Sequence, residues 1–221
     1  WLERFGALAA IEQEQVITPE LTPVSGDLTM AEVINEINKL TEGNAILVTD
    51  VGQHQMIACR YTQFNQSNSN ITSGGLGTMG FCLPAALGAK LGAPEKEVIA
   101  VIGDGGFQMT IQELGTIFQT KAAVKIVVLN NSCLGMVRQW QQLFFDKRYS
   151  STELENPDFI KIAEGYSIKG RSISERRDLA EAVNEMLDHD GSYLLEVHVG
   201  KEDNVFPMVP TGASVSDIRL S

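Results

Sequence analysis

Four short runs of Val, Ile and Leu limit the folds that this chain can adopt. They lie within residues 45–52, 97–103, 124–131 and 193–199, and each is apolar at nearly every position before its end. A strand with one solvent-exposed face alternates apolar and polar residues. A strand that is buried on both faces, as in parallel sheets, is apolar at nearly every position. The runs therefore predict a mostly parallel sheet that lies between two layers.

Segments with helical character fill the intervals between these runs. Residues 55–64, 134–145 and 175–188 are expected to be helical, and 73–92 is glycine-rich and then helical. The polar segment 65–70 is expected to be a loop. Because strands and helices alternate along the chain, the sequence predicts a doubly wound α/β fold, with a mostly parallel sheet and helices on both of its faces.

Three local signals predict where helices begin. In a capping box, a Ser or Thr side chain and a Glu three residues later satisfy each other's backbone N–H groups. An Asn followed by a Pro suits the N-cap and the first helical position. The capping pairs are Thr29 with Glu32 and Thr110 with Glu113, and the dipeptide is Asn156 with Pro157.

Composition argues against several classes of protein. The chain has 221 residues and a net charge of −11, from 17 basic and 28 acidic residues. It has no basic stripe, which argues against nucleic-acid binding, and no run approaches the roughly 18 apolar residues of a membrane span. The three cysteines form no close pair. That predicts a reducing compartment, the cytoplasm, rather than a disulfide framework.

The sequence suggests three parts. Residues 1–26 are mixed in character and end in TPVSGD, so we expect them to be a linker or the tail of a preceding domain. Residues 27–200 carry the alternating pattern and are expected to be the main domain, followed by a C-terminal tail over 201–221. Because the first residue is Trp1 rather than Met, we expect the chain to be a piece of something longer.

The end of the second apolar run carries an unusual charge. Asp104 follows Gly103 directly and is followed by Gly105 and Gly106. Glycines let a ligand approach the backbone closely, and a helix that begins there favours phosphate. The carboxylate of Asp104 would repel a phosphate unless a divalent cation lay between them, and Mg²⁺ is often bound in this way.

The end of the next run offers a second oxygen ligand. Asn131 carries an amide oxygen, and 24 residues separate GDG from NN, which is about one helix and one strand. The two strand ends should lie side by side at the edge where ligands bind in such sheets. A Rossmann site would instead place G-x-G-x-x-G after the first strand; GGLGTMG follows no clear strand, and the chain contains no Walker A lysine.

The GDG and NN pair resembles the thiamine diphosphate motif. The resemblance extends to VTDVGQHQM, TSGGLGTMGFCLPAALGAKLG, GMVRQWQQLFFDKRYS, NPDFIKIAEG and PMVPTGAS. Together these stretches are similar to the C-terminal domain of the acetohydroxyacid synthase (acetolactate synthase) large subunit. The similarity covers about residues 28 to 215 and implies the thiamine-diphosphate-binding fold.

The resemblance implies a metal and cofactor site. It implies Mg²⁺ on the Asp104 carboxylate, the Asn131 side chain and the backbone carbonyl of Cys133. The residues that it places around the cofactor, mainly at its diphosphate, are Gly52, Gln53, His54, Gly103, Gly105, Gly106, Gly135 and Met136. His54 is expected to contact phosphate rather than to act as a general base.

The resemblance also assigns residues to the reactive end of the cofactor. It implies that Met79 wedges the cofactor into its bent form and that the Gly77 carbonyl accepts from the pyrimidine amine. Met136 and Trp140 share a helix face, and the resemblance makes Trp140 a wall of the substrate pocket that favours 2-ketobutyrate. Taken alone, Met79 would be core filler and Met136 with Trp140 a core stripe. Arg138 and Gln139 are expected to be surface or interface residues.

The activity that the resemblance implies is a condensation of 2-keto acids. Pyruvate loses CO₂ and its remainder adds to a second 2-keto acid, giving 2-acetolactate or 2-aceto-2-hydroxybutyrate for branched-chain amino acid biosynthesis. The family also implies a homodimer or higher oligomer, a regulatory small subunit, a domain that binds FAD and a glutamate from another domain that activates the cofactor. The isolated chain is expected to be inactive.

Two other interpretations stay open. The chain could belong to another thiamine-diphosphate-dependent decarboxylase or oxidase, although RQWQ over 138–141 argues against that. It could also be a non-enzymatic nucleotide-binding module with a flavodoxin-like sheet. Binding of thiamine diphosphate with Mg²⁺, compared with ATP and FMN, separates the last interpretation from the other two.

Overall fold

The protein folds around one parallel sheet. The computed structural model describes residues 1–220, and within them six strands pair in the order β2-β1-β3-β4-β6-β5, every pair being parallel. The strands are β1 (Ile46–Thr49), β2 (Asn70–Thr72), β3 (Val98–Gly103), β4 (Val124–Asn130), β5 (Lys169–Ile173) and β6 (Tyr193–His198). The predicted parallel architecture is confirmed, and the four apolar runs are the central strands β1, β3, β4 and β6.

Helices connect the strands and cover both faces of the sheet. They are α1 (Leu2–Glu12), α2 (Thr18–Leu21), α3 (Met30–Thr41), α4 (Gln53–Tyr61), α5 (Cys82–Gly92), α6 (Asp104–Met109), α7 (Glu113–Thr120), α8 (Gly135–Phe144), α9 (Phe159–Gly165) and α10 (Leu179–Asp188). A π-helix (Gln13–Ile17) joins α1 to α2, and single 3₁₀ turns form at Arg176–Asp178 and Val215–Asp217. None of the helices in residues 1–220 is long and apolar enough to cross a membrane.

The sheet divides the core into two layers. Side chains of α3, α4 and α10 pack on one face, and those of α5, α6, α7 and α9 pack on the other. Within β3, Ile99 and Val101 belong to the first layer, whereas Ala100 and Ile102 belong to the second. Because successive side chains of a strand point to opposite faces, both sets are buried. This explains why the runs are apolar at nearly every position and confirms the doubly wound fold.

The two edge strands were not predicted. Residues 65–70 were expected to be a loop, which is confirmed except at Asn70, the first residue of the strand Asn70–Thr72 that pairs in parallel with β1. Lys169–Ile173 likewise pairs with β6. Both strands are short and partly exposed, so neither buries two faces and neither produces an apolar run.

Of the three predicted helix caps, one is confirmed and two are wrong. The capping box of Thr29 and Glu32 is confirmed, since both of its hydrogen bonds form at the start of α3. The box predicted at Thr110 is wrong, because that hydroxyl donates to the carbonyl of Gly80 at 3.1 Å and α7 begins without a side-chain cap. Asn156 is not an N-cap either: Asp158 caps α9 by accepting from the backbone N–H of Lys161.

The first residues contact the main fold through polar groups. Glu12 forms an ion pair with Arg60, and the hydroxyl of Tyr61 donates to Glu20. The carbonyl of Glu20 also accepts from the Thr29 hydroxyl at 2.6 Å. These contacts join residues 1–26 to α3 and α4, while their assignment as a linker or a preceding domain stays a prediction, as does that of 201–221 as a tail.

Candidate functional site

A cleft opens at the carboxyl ends of β1, β3 and β4, which are neighbours in the sheet. The space within it, counted out into the solvent at its open mouth, is about 420 Å³. Most of the residues predicted for the cofactor lie in its wall, although they come from distant parts of the chain. They are Gly52, Gln53, His54, Met79, Gly103, Asp104, Gly105, Gly106, Asn131, Cys133, Gly135 and Met136. The structure therefore brings together twelve of the fourteen predicted site residues.

Gly77 and Trp140 are not in the wall of the cleft. Gly77 lies in the exposed turn that precedes Met79, with a φ of 60°. Trp140 is 39% exposed, and its ring packs beside that of Phe144 with 5.0 Å between centroids. Trp140 is therefore not a core residue in this structure. The roles predicted for Gly77 and Trp140 rest on the sequence alone.

Asp104 is a buried carboxylate without a cationic partner. It is the first residue of α6, directly after β3, and only 1% of it is exposed. Its Oδ1 accepts from the N–H of Gly105 at 3.0 Å, and its Oδ2 accepts from Nδ2 of Asn156 at 2.7 Å. Burial raises the pKa of Asp104, partly opposed by the hydrogen bond from Asn156. None of the salt bridges within residues 1–220 includes it.

Asn131 lies beside Asp104 because β3 and β4 are in register. Gly103 pairs with Leu129, so the residues that follow the two strands emerge side by side. The Oδ1 of Asn131 accepts from the N–H of Cys133 at 3.3 Å, and its Nδ2 lies 3.4 Å from Oε1 of Gln53. Burial, together with the charge of Asp104, raises the pKa of the Cys133 thiol to about 11. This thiol is neutral near pH 7, so it is not the thiolate that metals bind.

This donor set fits a hard divalent cation. In residues 1–220 no three His, Cys, Asp or Glu side chains come together as a metal cluster. A single carboxylate with amide and carbonyl oxygens is how proteins commonly hold Mg²⁺, which takes its other ligands from water and phosphate. A cation at this point would also supply the positive charge that the buried Asp104 lacks. The residues present therefore fit a magnesium ion.

Two glycines keep the cleft open. A Cβ on Gly106 would lie 1.9 Å from Oδ2 of Asp50, and a Cβ on Gly135 would lie 2.0 Å from Oε1 of Gln53. Asp50 is buried and accepts from the N–H groups of Gly80 and Cys82. Only glycine allows the backbone of α6 and α8 to approach these side chains so closely.

His54 lies in the cleft wall and has a buried ring nitrogen without a hydrogen-bond partner in residues 1–220. The residue is buried near the start of α4, and no group in residues 1–220 forms a hydrogen bond with its Nε2. Burial lowers the pKa of His54 to about 4, against a smaller opposing effect of Asp50. The ring is therefore neutral near pH 7 and can offer or accept a hydrogen bond there, but it brings no positive charge.

Arg138 and Gln139 are buried, so their prediction as surface or interface residues is wrong. Gln139 receives a hydrogen bond from Nε2 of Gln53 and exchanges two with the backbone of Val205. Arg138 forms a bidentate pair with Glu202. Both residues face chain segments 60 or more residues away, which local spacing within α8 could not reveal.

The sequence did not predict the roles of Asn156 and Gln108 or the two contacts of Asp50. Nε2 of Gln108 donates to Oδ1 of Asn156 at 2.8 Å, and Asn156 in turn donates to Asp104. The Asn-Pro dipeptide suggested only a helix cap. The one available signal was the placement of Asp50 at a strand end, within the stretch TDVGQH.

Residues 50–197 match the family described as thiamine pyrophosphate enzyme, C-terminal TPP binding domain. The match spans well over half of the chain. The chain belongs to this family. The doubly wound sheet and the cleft at its carboxyl edge are therefore those of a thiamine pyrophosphate-binding domain.

Acetolactate synthase large subunits are among the similar curated proteins. The Escherichia coli isozyme 2 large subunit is 45% identical over 195 residues, which are 87% of this chain and 36% of that protein. The Lactococcus lactis large subunit is 45% identical over 191 residues, 86% of this chain and 33% of that protein. The chain thus spans about a third of the length of these relatives.

A solved structure supports the same fold. The thiamine diphosphate-dependent 4-hydroxybenzoylformate decarboxylase of Rhodococcus jostii RHA1 superposes with a TM-score of 0.74 at 27% identity. The superposition covers 81% of this chain and 34% of that one. The two chains share an architecture, while the sequence similarity is higher to the synthases.

Proposed function

We propose that this chain is the part of an acetolactate synthase that binds the diphosphate of thiamine diphosphate through Mg²⁺. The whole enzyme would decarboxylate pyruvate and join the remainder to pyruvate or 2-ketobutyrate, giving 2-acetolactate or 2-aceto-2-hydroxybutyrate for branched-chain amino acid biosynthesis. The observation that carries the proposal is the buried Asp104, which has no cationic partner within residues 1–220 and lies next to Asn131 in a glycine-lined cleft. The 45% identity to two synthase large subunits supports the choice of reaction.

The proposed metal ligands come from two neighbouring strand ends. Asp104 would supply a carboxylate oxygen, Asn131 its side-chain oxygen and Cys133 its backbone carbonyl. Gly106 lies in the first turn of α6, so its N–H group belongs to the helix end that favours phosphate. The metal would neutralise the repulsion between Asp104 and the diphosphate.

Other cleft residues would hold the diphosphate and shape the space beside it. Gln53 and the backbone of Gly52 and Gly135 would lie along the diphosphate. The unsatisfied Nε2 of His54 would form a hydrogen bond with it. Because that ring is neutral near pH 7, it would contribute a hydrogen bond rather than charge. This agrees with a positioning contact and argues against a general base with a pKa near 7.

The thiazolium and pyrimidine end of the cofactor would lie against Met79. When bound, thiamine diphosphate supplies a nucleophilic carbon and a sink for the electrons released when CO₂ leaves. The chain's own part would be to bind, to orient and to exclude water. Met79 and Met136 are the apolar residues of the cleft wall that suit this role, Gly77 would offer its carbonyl, and Trp140 would reach the acceptor substrate.

Further components of the proposed enzyme lie outside these contacts. We propose FAD as a second cofactor, a homodimer or higher oligomer, a regulatory small subunit and a location in the cytoplasm. We also propose that a glutamate from another domain activates the cofactor, so that the isolated chain does not form acetolactate. A purified chain that turned over pyruvate with thiamine diphosphate, Mg²⁺ and FAD would contradict this last point.

A thiamine diphosphate-dependent decarboxylase is the second candidate. The likeness to the Rhodococcus jostii enzyme, at 27% identity, favours it. The greater similarity to the synthases and the presence of Trp140 favour the synthase instead. A binding module for other nucleotides is the third candidate, and it predicts a different ligand rather than a different reaction.

Calorimetry distinguishes the cofactor site from a nucleotide site. The 221-residue chain would be titrated with thiamine diphosphate, ATP and FMN, each with Mg²⁺ and with a chelator. We expect heat only for thiamine diphosphate with Mg²⁺. Binding of ATP or FMN with equal affinity, or binding of thiamine diphosphate that is indifferent to the chelator, would contradict the proposal.

A further inference from the structure

A loop after α8 returns to the carboxyl end of β4. The N–H of Leu134 donates to the carbonyl of Thr152 at 2.7 Å, and the N–H of Leu154 donates to the carbonyl of Ser132 at 3.0 Å. These two hydrogen bonds pair the loop with the segment that follows Asn131. The loop is thereby fixed next to the proposed metal ligands, and its next residues reach Asp104.

In this loop, every hydrogen-bonding group of the Asn156 side-chain amide has a partner. Its Nδ2 donates to Oδ2 of Asp104 at 2.7 Å and to Oδ1 of Asn130 at 3.0 Å. Its Oδ1 accepts from Nε2 of Gln108 at 2.8 Å. Both N–H groups of the amide are used, one on each acceptor, and the oxygen has a donor of its own.

The carboxylate of Asp104 determines which way the amide of Asn156 faces. If the amide were turned over, its oxygen would face the carboxylate, which only accepts hydrogen bonds, and that contact would be repulsive. Gln108 supports the same orientation by donating from its Nε2 to Oδ1 of Asn156.

We infer that Asn156 is a positioning residue that fixes the carboxylate of Asp104 for a divalent cation. With Oδ2 held by Asn156 and Oδ1 held by the N–H of Gly105, the carboxylate cannot rotate freely about its Cβ–Cγ bond. Ligand oxygens that are held in place in this way bind metals more tightly than mobile ones, because less freedom is lost on binding. The inference rests on the proposed function of the same cleft.

A purely local role does not account for this arrangement. Asn156 precedes a helix, but Asp158 caps that helix and Asn156 does not. Its contacts reach across 52 residues to Asp104 and across 26 to Asn130. The hydrogen bond to Asn130 supports the end of β4. The hydrogen bond to Asp104 holds the carboxylate that is inferred to bind the ion.

Mn²⁺ is a suitable probe because it takes the same oxygen ligands as Mg²⁺ and is seen by electron paramagnetic resonance. Mn²⁺ would be titrated into the 221-residue chain with thiamine diphosphate present, well below the melting temperature. We expect Asn156→Ala to weaken Mn²⁺ binding by roughly 10–100-fold, the range for residues that orient metal ligands. Gln108→Ala should weaken it less, since Asn156 loses one supporting hydrogen bond but still donates to Asp104.

Asp158→Ala is the matched control. It lies in the same loop and removes the cap of α9 but touches neither Asp104 nor Asn130. We expect it to lower the melting temperature and to leave Mn²⁺ affinity unchanged. Asn156→Ala that binds Mn²⁺ as tightly as the wild type would overturn the inference alone. A wild-type chain that binds no Mn²⁺ with thiamine diphosphate would overturn the proposed function and this inference with it.

Discussion

Gln53 and Gln139 join the start of α4 to the middle of α8 through a buried hydrogen bond of 2.9 Å, from Nε2 of Gln53 to Oε1 of Gln139. The same Nε2 also donates to the carbonyl of Asp203 at 3.0 Å. Gln139 completes the network by exchanging hydrogen bonds with the backbone of Val205. The side chain proposed to lie along the diphosphate is therefore held by α8 and by residues 203–205 together.

Replacing Gln139 should be costly even though it does not line the cleft. Gln139→Ala leaves the backbone N–H and carbonyl of Val205, and one donor of Gln53, without partners. Unsatisfied buried groups of this kind cost about 1–3 kcal/mol. Urea denaturation should show this loss, while Gln141→Ala, on the more exposed part of the same helix, should change the free energy of unfolding by less. Equal effects of the two changes would argue against the network.

Gly135 should not tolerate a methyl group. In Gly135→Ala, the new Cβ would lie 2.0 Å from Oε1 of Gln53, whose amide is held by Gln139 and Asp203. We expect a loss of about 1–3 kcal/mol in the free energy of unfolding, the usual cost of overpacking, and weaker binding of thiamine diphosphate.

Gly88→Ala is the control for that substitution. Gly88 lies within α5, and a Cβ there would meet nothing within 4 Å. Alanine should stabilise the helix by about 0.5–1 kcal/mol. Thermal melting of both variants checks the prediction, and a stable Gly135→Ala variant with normal cofactor binding would show that the cleft is less tight than described.

His54 should make stability depend on pH. Its pKa in the folded protein is about 4, below the ordinary value of 6.5, so the unfolded chain binds more protons between these values. Stability is thus fully present above pH 6.5 and is lost as the pH falls towards 4, by roughly 3 kcal/mol. His54→Gln removes this contribution. Because Asp104 and Asp203 have raised pKa values, which act in the opposite direction, the test is the difference between wild type and variant; parallel curves of unfolding free energy against pH would refute the prediction.

Asp104→Asn should separate binding from stability. The variant removes the only charged ligand proposed for the metal, so thiamine diphosphate should no longer bind in a way that depends on Mg²⁺. Its melting temperature should stay close to that of the wild type, because relief of a buried charge offsets the loss of one accepted hydrogen bond. Calorimetry and thermal melting of the same sample check both parts. Normal binding that depends on Mg²⁺ would remove Asp104 from the metal site.

The sequence predicted the central sheet because a strand that is buried on both faces has a nearly continuous apolar sequence. Val98–Gly103 and Val124–Asn130 have no exposed face, so nearly every position is apolar; Lys125 and Asn130 are the buried polar exceptions. The edge strands Asn70–Thr72 and Lys169–Ile173 each pair with one neighbouring strand only and are partly exposed. Their sequences are therefore not continuously apolar.

The site was predictable as far as it depends on strand ends. Asp104 and Asn131 follow adjacent strands, and the spacing of the two motifs predicts that they lie together. Contacts that depend on the folding of distant segments could not be predicted. Asn156 illustrates this limit: its local signal indicated a helix cap, but its side chain binds a carboxylate 52 residues earlier in the chain.

The central claim is that a divalent cation joins Asp104 and Asn131 to the diphosphate of the cofactor. A crystal structure of the chain grown with Mn²⁺ and thiamine diphosphate, with anomalous scattering recorded at the manganese edge, tests it most directly. The account predicts one strong anomalous peak at about 2.1 Å, the distance typical of magnesium ligands, from a carboxylate oxygen of Asp104, Oδ1 of Asn131 and the carbonyl oxygen of Cys133. A cofactor bound in the cleft with no peak there, or a peak away from Asp104, would contradict it.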